Sequence, residues 1–289
     1  MSVSWLRERL YDHWQQTFLV SKELYRSDEG LQRIVLFETP RFGLVLTLDG
    51  VVQVTTGDEF VYHEMLAHVP IYAHGAVKSA CVVGGGDGGM LREILKHPGV
   101  ESAVLVEIDA RVVTLCREYM PSVSAGAFDD PRVEVIVADG IDFMRTTDRQ
   151  FDLIVVDSSD PIGPGEVLFA EAFYRDCARC LTAEGIVVNQ NGVPFMQGAE
   201  VTDTYRRRRP HFADVSFYVA AVPTYIGGFM ALGWASASLR PRAETVETIR
   251  ARHAAAPVTS RYWTPEIHKA AFALPKFVID LVPDTSTAG

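Results

Sequence analysis

The sequence predicts an α/β protein with a mostly parallel, Rossmann-like sheet and helices on both faces, preceded by a small antiparallel β domain. Three observations support this prediction. Strand-like and helix-like segments alternate from residue 80 to residue 189, which is typical of parallel strands joined by crossover helices. A glycine-rich turn follows the first of these strands. Short β-type runs fill much of the first 56 residues.

The N-terminal part contains short apolar runs with partial alternation, the pattern expected of strands. We predict strands at residues 17–26, 31–39, 42–48 and 51–55, with Asp49-Gly50 forming a tight hairpin turn. The spacing of apolar residues becomes helical after residue 56. We therefore divide the chain into an N-terminal β-strand domain, residues 1–56, and a Rossmann-like domain, residues 57–289.

The second part follows a regular order along the chain. A helix is predicted over residues 57–73, where acidic residues occupy the first turn. Strands are predicted at 80–83, 103–107, 133–137, 151–156 and 185–189, with helices at 89–96, 111–118, 141–145 and 171–180. A helix near 199–208, a closing hairpin of residues 214–222 and 229–235, and a helical tail complete the prediction.

Composition excludes several classes of protein. The formal net charge of −10 disfavours nucleic acid as the main partner. We find no apolar run of the ~20 residues needed to cross a bilayer and no secretory signal pattern, so we expect no membrane partner and a cytoplasmic location. Cys177 and Cys180 form an isolated C-x-x-C pair. We therefore expect helix-packed thiols rather than a metal site or disulfide framework.

Two aspartates follow the predicted fourth strand. The unbroken β-branched run that ends at Val156 indicates a strand buried on both faces. Asp157 then stands at its carboxyl end, and Asp160 lies in the Pro/Gly loop beyond. Ligands of open parallel sheets bind at this edge. A pair of carboxylates there suits a cationic substrate and a proton acceptor.

Glycines and acids after the first three strands suggest an adenosyl ligand. The segment from Gly84 to Gly89 lies between a strand and a helix, where a ligand can approach the backbone closely. Glu107 follows about 20 residues later, the position of a ribose-binding acid in such folds. Asp139 after the third strand could accept from an adenine amino group. The alternative is that both acids are ordinary strand-end caps.

The negative charge of Asp87, within the glycine loop, favours one adenosyl ligand over another. The loop would face the methionine carboxylate of S-adenosylmethionine, and an aspartate there would repel it. Decarboxylated S-adenosylmethionine ends instead in an aminopropyl ammonium, with which Asp87 can pair. The alternative is that Asp87 is a solvated helix cap.

The glycine loop, the strand-end acids and the aspartate pair resemble those of the spermidine synthases, the polyamine aminopropyltransferases. The resemblance runs from about Val20 to Leu274, and His63 after Tyr62 is typical of the bacterial members. The matching segments are LDGVVQ at 48–53, DEFVYHE at 58–64, GGGDG at 84–88, VEID at 106–109, DSSDPIGP at 157–164 and PTY at 223–225.

The resemblance implies a class I methyltransferase-like fold and a role for each matched residue. Asp157 is the implied proton acceptor. The implied contacts of the amine and aminopropyl groups are His63, Asp87, Asp160, Tyr62, Gln190 and Tyr225. The implied contacts of the thioadenosine part are Gln32, Gln53, Gly84, Gly86, Glu107, Asp139, Gly140 and Pro164. No resident cofactor or metal is implied, since decarboxylated S-adenosylmethionine is a co-substrate.

The expected reaction is attack by a putrescine nitrogen on the methylene beside the sulfonium, giving spermidine and 5'-methylthioadenosine. Cadaverine, 1,3-diaminopropane and agmatine remain alternative acceptors, because one or two methylenes change binding by only ~1–3 kcal/mol. A methyltransferase of the same fold and a non-catalytic polyamine-binding protein are further alternatives. The resemblance also implies a homodimer or homotetramer.

Overall fold

The computed structural model describes residues 4–158 and 170–282. Its N-terminal part forms two antiparallel sheets, one of strands β1 and β2 and one in the order β3-β4-β5-β6. The strands are β1 (Ser4–Arg7), β2 (Thr17–Val20), β3 (Lys22–Ser27), β4 (Ile34–Thr39), β5 (Gly43–Leu48) and β6 (Val51–Thr55).

The predicted hairpin at Asp49-Gly50 is confirmed, since β5 pairs antiparallel with β6. Both turn residues have positive φ angles, 51° and 85°, as a type I′ turn requires. The predicted strand at residues 17–26 is instead split at Ser21 between the two sheets. Strand β1 is absent from the sequence prediction, because its four residues are mostly exposed and give no alternating pattern.

The following sheet has seven strands within the described residues, in the order β12-β13-β11-β10-β7-β8-β9. The pairs among β7 to β11 are parallel, and β13 pairs antiparallel with both β11 and β12. The strands are β7 (Ser79–Gly84), β8 (Ser102–Glu107), β9 (Val133–Val137), β10 (Phe151–Asp157), β11 (Leu181–Gln190), β12 (Asp214–Ala220) and β13 (Met230–Ser236). The predicted Rossmann-like, methyltransferase-like fold is therefore confirmed.

Helices cover both faces of this sheet. Alternate residues of β10 explain why, since Val155 packs into the apolar cluster on one face and Val156 into the cluster on the other. The helices are α1 (Glu59–His74), α2 (Gly89–Leu95), α3 (Ala110–Tyr119), α4 (Pro121–Ser124), α5 (Gly140–Thr146), α6 (Glu171–Arg179), α7 (Gly198–Arg208), α8 (Arg240–Ala243), α9 (Val246–Ala255), α10 (Pro265–Ala270) and α11 (Lys276–Ile279).

The four cysteines are free and buried. Across residues 4–158 and 170–282, no group of three or more histidine, cysteine or acidic side chains could hold a metal ion. In the same part of the chain, no helix has the length and apolar character needed to cross a membrane.

Glu64 on α1 ties the C-terminal segment to the core. Its buried carboxylate accepts hydrogen bonds from the backbone N–H groups of Arg261, Tyr262 and Trp263, at 2.7, 2.8 and 2.9 Å. Hydrogen bonds to a charged group contribute more to stability than neutral ones. This carboxylate therefore fixes the turn that places Trp263 against α1.

We expect Glu64→Gln to lower the free energy of unfolding by about 2 kcal/mol, because an amide offers fewer acceptors to these three donors. Urea denaturation measures the change. The matched control is Glu101→Gln, whose exposed carboxylate pairs with exposed Lys78 and whose loss should leave the stability nearly unchanged. Equal effects of the two substitutions would contradict this role for Glu64.

Candidate active site

One cavity lies at the carboxyl ends of the parallel strands, where the order reverses between β7 and β10. Ligands of open α/β sheets bind at such a switch point. The predicted site residues that line the cavity are Gln32, Gln53, Tyr62, Gly84, Gly86, Asp87, Glu107, Asp139, Gly140, Asp157, Gln190 and Tyr225. Asp160 and Pro164 lie outside the described residues.

The glycine loop brings β7 and β10 together at the floor of this cavity. Gly84 is the register partner of Asp157 and has a φ of 84°, which favours glycine. A Cβ on Gly84 would lie 2.2 Å from the carbonyl oxygen of Asp157. The Gly85 N–H donates to that same oxygen at 2.9 Å. These glycines are therefore needed for close strand approach as well as for ligand access.

Asp157 projects into the cavity from the end of β10. The Tyr62 hydroxyl donates to its Oδ1 at 2.7 Å. Its buried Oδ2 has no hydrogen-bond partner in the part of the chain that is described. Burial, and next the charge of Asp87, raise the pKa of Asp157 to about 6, although His63 and Tyr62 oppose the rise. Asp157 is thus a carboxylate with one oxygen available and an increased affinity for a proton.

Asp87 lies opposite, in the loop between β7 and α2. Its Oδ1 accepts from the Gly89 N–H at 2.7 Å. The side chain is only 13% exposed and the N-cap residue of α2 is Gly88, so Asp87 is not the solvated helix cap of the alternative prediction. Burial acts to raise the pKa of Asp87, but the His63 cation and the Gly89 amide outweigh it and hold the pKa below its ordinary value. Asp87 therefore presents a negative charge to the cavity.

His63 is placed differently from the other predicted amine contacts. It is 2% exposed and is not among the described residues that line the cavity. Its Nε2 lies 3.6 Å from Oδ1 of Asp87, and its Nδ1 lies 2.6 Å from Oε2 of Glu59. His63 thus stands behind Asp87, between two carboxylates, and its contact with a substrate stays a prediction.

The other half of the cavity holds the residues predicted for an adenosyl group. Glu107 accepts from the Asp109 N–H at 2.9 Å, and burial raises the pKa of Glu107 to about 7 despite that hydrogen bond. A Cβ on Gly86 would lie 2.9 Å from the Glu107 carboxylate, so glycine keeps this acid accessible. Asp139 caps α5 through the Ile141 N–H at 2.8 Å and is exposed beside it.

Gln32 differs from its predicted setting, because β4 begins only at Ile34 and Gln32 lies in the loop before it. Asp49 accepts from the Arg33 N–H and fixes this loop. The Gln32 amide nitrogen lies 3.4 Å from a carboxylate oxygen of Asp109. Gln32 therefore reaches the cavity from the N-terminal part of the chain, beside the ends of β8 and α3.

Aromatic and amide side chains form the remaining wall. The rings of Tyr62 and Tyr225 meet edge to face, with centroids 5.9 Å apart. The Tyr225 hydroxyl donates to the Gln53 carbonyl at 2.6 Å. Gln190 accepts from the Gly192 N–H at 3.0 Å. Faces of tyrosine rings beside carboxylates favour alkyl ammonium groups.

Sequence reasoning missed several lining residues, of which Glu8, Tyr11 and Gln197 carry polar groups. Glu8 is 3% exposed and accepts from the Val52 N–H at 3.0 Å. Tyr11 donates to Gln197 at 2.8 Å. No motif marks these positions, since the segment from residue 8 to residue 16 is irregular. The pairing of β1 with β2 brings it over the cavity.

Fold and cavity together define a methyltransferase-like α/β protein with an acidic site at the sheet's switch point. Two family models match the chain: one described as "Spermine/spermidine synthase domain" matches residues 59–244, and one described as "Spermidine synthase tetramerisation domain" matches residues 4–56. The chain belongs to the spermidine synthase family, and the predicted family and enzyme class, a transferase of this family, are confirmed.

Curated relatives agree with this assignment. The chain is 55% identical to the polyamine aminopropyltransferase of Ruegeria sp. (strain TM1040), over 96% of this chain and 98% of the relative. It is 50% identical to that of Pseudomonas syringae pv. tomato (strain ATCC BAA-871 / DC3000), over 97% and 98%.

Solved structures give the same result. A spermidine synthase crystallised with the transition-state analogue AdoDATO is similar with a TM-score of 0.91, at 36% identity, over 96% of this chain and 94% of that one. The spermidine synthase from Thermotoga maritima matches with a TM-score of 0.88, at 34% identity, over the same shares.

We expect Tyr62→Phe to raise the pKa of Asp157 by roughly one unit, because a hydrogen bond to a charged group contributes ~1.5–3 kcal/mol. NMR titration of the ¹³C-labelled aspartate carboxyl measures the pKa, and Asp157→Asn identifies the signal. Tyr225→Phe is the control, since that hydroxyl donates to a backbone carbonyl. An unchanged titration in Tyr62→Phe would contradict the stabilising contact.

Proposed function

We propose that the chain transfers an aminopropyl group from decarboxylated S-adenosylmethionine to putrescine, giving spermidine and 5'-methylthioadenosine. The observation that supports this most strongly is that Asp87 and Asp157 face one cavity that also holds Glu107 and Asp139. Two acids suit the cationic aminopropyl and amine groups. The other two suit ribose hydroxyls and an adenine amino group.

The reaction needs a nitrogen lone pair, and the acceptor is protonated at neutral pH because alkyl ammonium pKa values lie near ~10. We propose that Oδ2 of Asp157, which has no hydrogen-bond partner among the described residues, takes that proton. The amine lone pair then forms a C–N bond to the methylene beside the sulfonium, and the C–S bond breaks with its electrons going to sulfur. The raised pKa of Asp157 brings acceptor and donor closer in proton affinity.

The Tyr62 hydroxyl would hold the reactive carboxylate in place. It donates to Oδ1 and leaves Oδ2 toward the amine. Burial, and next the Asp157 charge, raise the pKa of Tyr62 well above its ordinary value. Tyr62 therefore stays protonated and remains a hydrogen-bond donor at neutral pH.

The far ammonium of a diamine needs its own partner. Asp160 is the proposed one from the family motif, and among the described residues Glu8 is an acid that lines the cavity. The Glu8 carboxylate accepts from the Val52 N–H and from the Gln16 side-chain amide, which fixes its negative charge beside the cavity. This supports a diamine rather than a monoamine as acceptor.

Assembly and domain division are proposed on the family match. The N-terminal β-strand domain, residues 1–56, would provide contacts between copies of this chain in a homodimer or homotetramer. The match of residues 4–56 to a tetramerisation domain supports this. We propose that the catalytic domain begins at residue 57.

The purified protein with decarboxylated S-adenosylmethionine and putrescine should form spermidine and methylthioadenosine in equal amounts. Asp157→Asn should lower kcat by about 10²–10⁴-fold, because general-base help has this size. Calorimetry should show that this variant still binds methylthioadenosine. A near-normal rate at saturating amine would contradict the base role, and a panel of amines of different length would identify the acceptor.

Asp87→Asn should reduce the preference for decarboxylated S-adenosylmethionine over S-adenosylmethionine, because the substitution removes the charge that repels the carboxylate. Dissociation constants of both ligands, measured for both proteins, give the ratio. Asp142→Asn is the control, since that acid on α5 is exposed and paired with Arg145. An unchanged ratio would contradict the selecting role of Asp87.

A further inference from the structure

Four charged side chains form a row behind the cavity wall, and its last member, Asp87, lines the cavity. They are Arg92, Glu59, His63 and Asp87, with charges that alternate in sign when the imidazole is protonated. Arg92 donates from both terminal nitrogens to the two Glu59 oxygens, at 3.0 and 2.7 Å. Glu59 meets Nδ1 of His63 at 2.6 Å, and Nε2 of His63 faces Asp87 at 3.6 Å.

Contacts with neighbouring residues hold the row in place. Arg92 also donates to the Val123 carbonyl at 2.7 Å and to Glu93 at 2.7 Å. His63 packs against the first residue of α2, where a Cβ on Gly89 would lie 2.3 Å from the ring. The Glu59 and His63 side chains are 8% and 2% exposed. Neither can swing into solvent without breaking these contacts.

We infer that Glu59 is a positioning residue for the reaction, which acts through His63. It orients the imidazole and holds it as a cation behind Asp87, so that Asp87 and Asp157 can both stay ionised across the cavity. Two carboxylates that share a buried site otherwise repel each other, and one of them takes up a proton. Glu59 itself is not among the described residues that line the cavity.

The charged and titratable groups around His63 and Asp157 support this role for Glu59. His63 faces Glu59 from α1 and Asp87 from the β7–α2 loop, and these raise its pKa well above the ordinary value although burial opposes them. Asp157 is affected by Asp87, His63 and Tyr62, and by Glu107, whose own pKa is raised in part by Asp157. A neutral His63 would leave the Asp87 charge uncompensated, so the pKa of Asp157 would rise further.

The test rests on the proposed function and uses the pH dependence of kcat/KM with putrescine. In the wild type, kcat/KM should decrease at low pH, and the midpoint of this acid limb of the profile should lie near the pKa of Asp157, about 6. Glu59→Gln should move this limb upward by about one pH unit, because the base then needs a higher pH to ionise. His63→Gln should give the same shift. The double variant should equal either single variant, since both act through one cation.

Glu64→Gln is the matched control, a buried carboxylate on the same helix that contacts backbone instead of the row. It should lower stability and leave the acid limb in place. If the limb of Glu59→Gln coincides with that of the wild type, or if the two single shifts add in the double variant, the inference is wrong. An inactive wild type would instead reject the proposed function.

A measurement on the unmodified protein covers the case in which Glu59→Gln fails to fold. Nitrogen-15 NMR of labelled histidines should show both ring nitrogens of His63 protonated at pH 8, where a free histidine is neutral. The signal is assigned by its loss in His63→Gln. A neutral His63 at pH 8 would overturn the inference without reference to activity.

Discussion

Repulsion between two buried carboxylates at one cavity is the constraint that organises this site. Asp157 ends β10 and Asp87 lies in the loop that follows the neighbouring parallel strand β7, so the topology itself brings their charges together. Charges interact strongly where water is excluded. Two contacts stabilise these charges. The Tyr62 hydroxyl donates to Asp157, and the buried His63 cation lies behind Asp87. The negative charge that both carboxylates still present to the cavity would attract a cationic substrate.

The first turn of α1 supplies these balancing groups. Glu59, Tyr62 and His63 stand at positions i, i+3 and i+4, which share one face of a helix. That face lies against the glycine loop, where Gly89 leaves room for the His63 ring. One helical turn therefore stabilises both carboxylates. The adjacent positions of Tyr62 and His63 on this turn place the hydroxyl donor and the imidazole cation side by side.

Much of the fold and of this site follows from local sequence rules. Alternating strands and helices predict the parallel sheet, and that order brings Gly84, Glu107 and Asp157 to one edge because parallel strands end together. The sequence does not reveal partners that are distant along the chain. Its pattern cannot show that His63 faces Asp87 from behind, or that the irregular segment with Glu8 and Tyr11 covers the cavity.

The two halves of the cavity differ in how they are built, and this explains why the acceptor amine is hard to predict. The half predicted to bind the adenosyl group is built mainly from the ends of sheet strands, whose positions the hydrophobic pattern sets. The half predicted to bind the amine also depends on loops that hydrogen bonds hold together: Gln16 donates to the Thr224 carbonyl at 2.6 Å, and the Thr224 N–H donates to Asp58 at 2.8 Å. Small shifts in these loops would alter the length of the cavity available to an amine while leaving the motifs unchanged. Acceptor length is therefore a property of loop packing, which motifs do not encode.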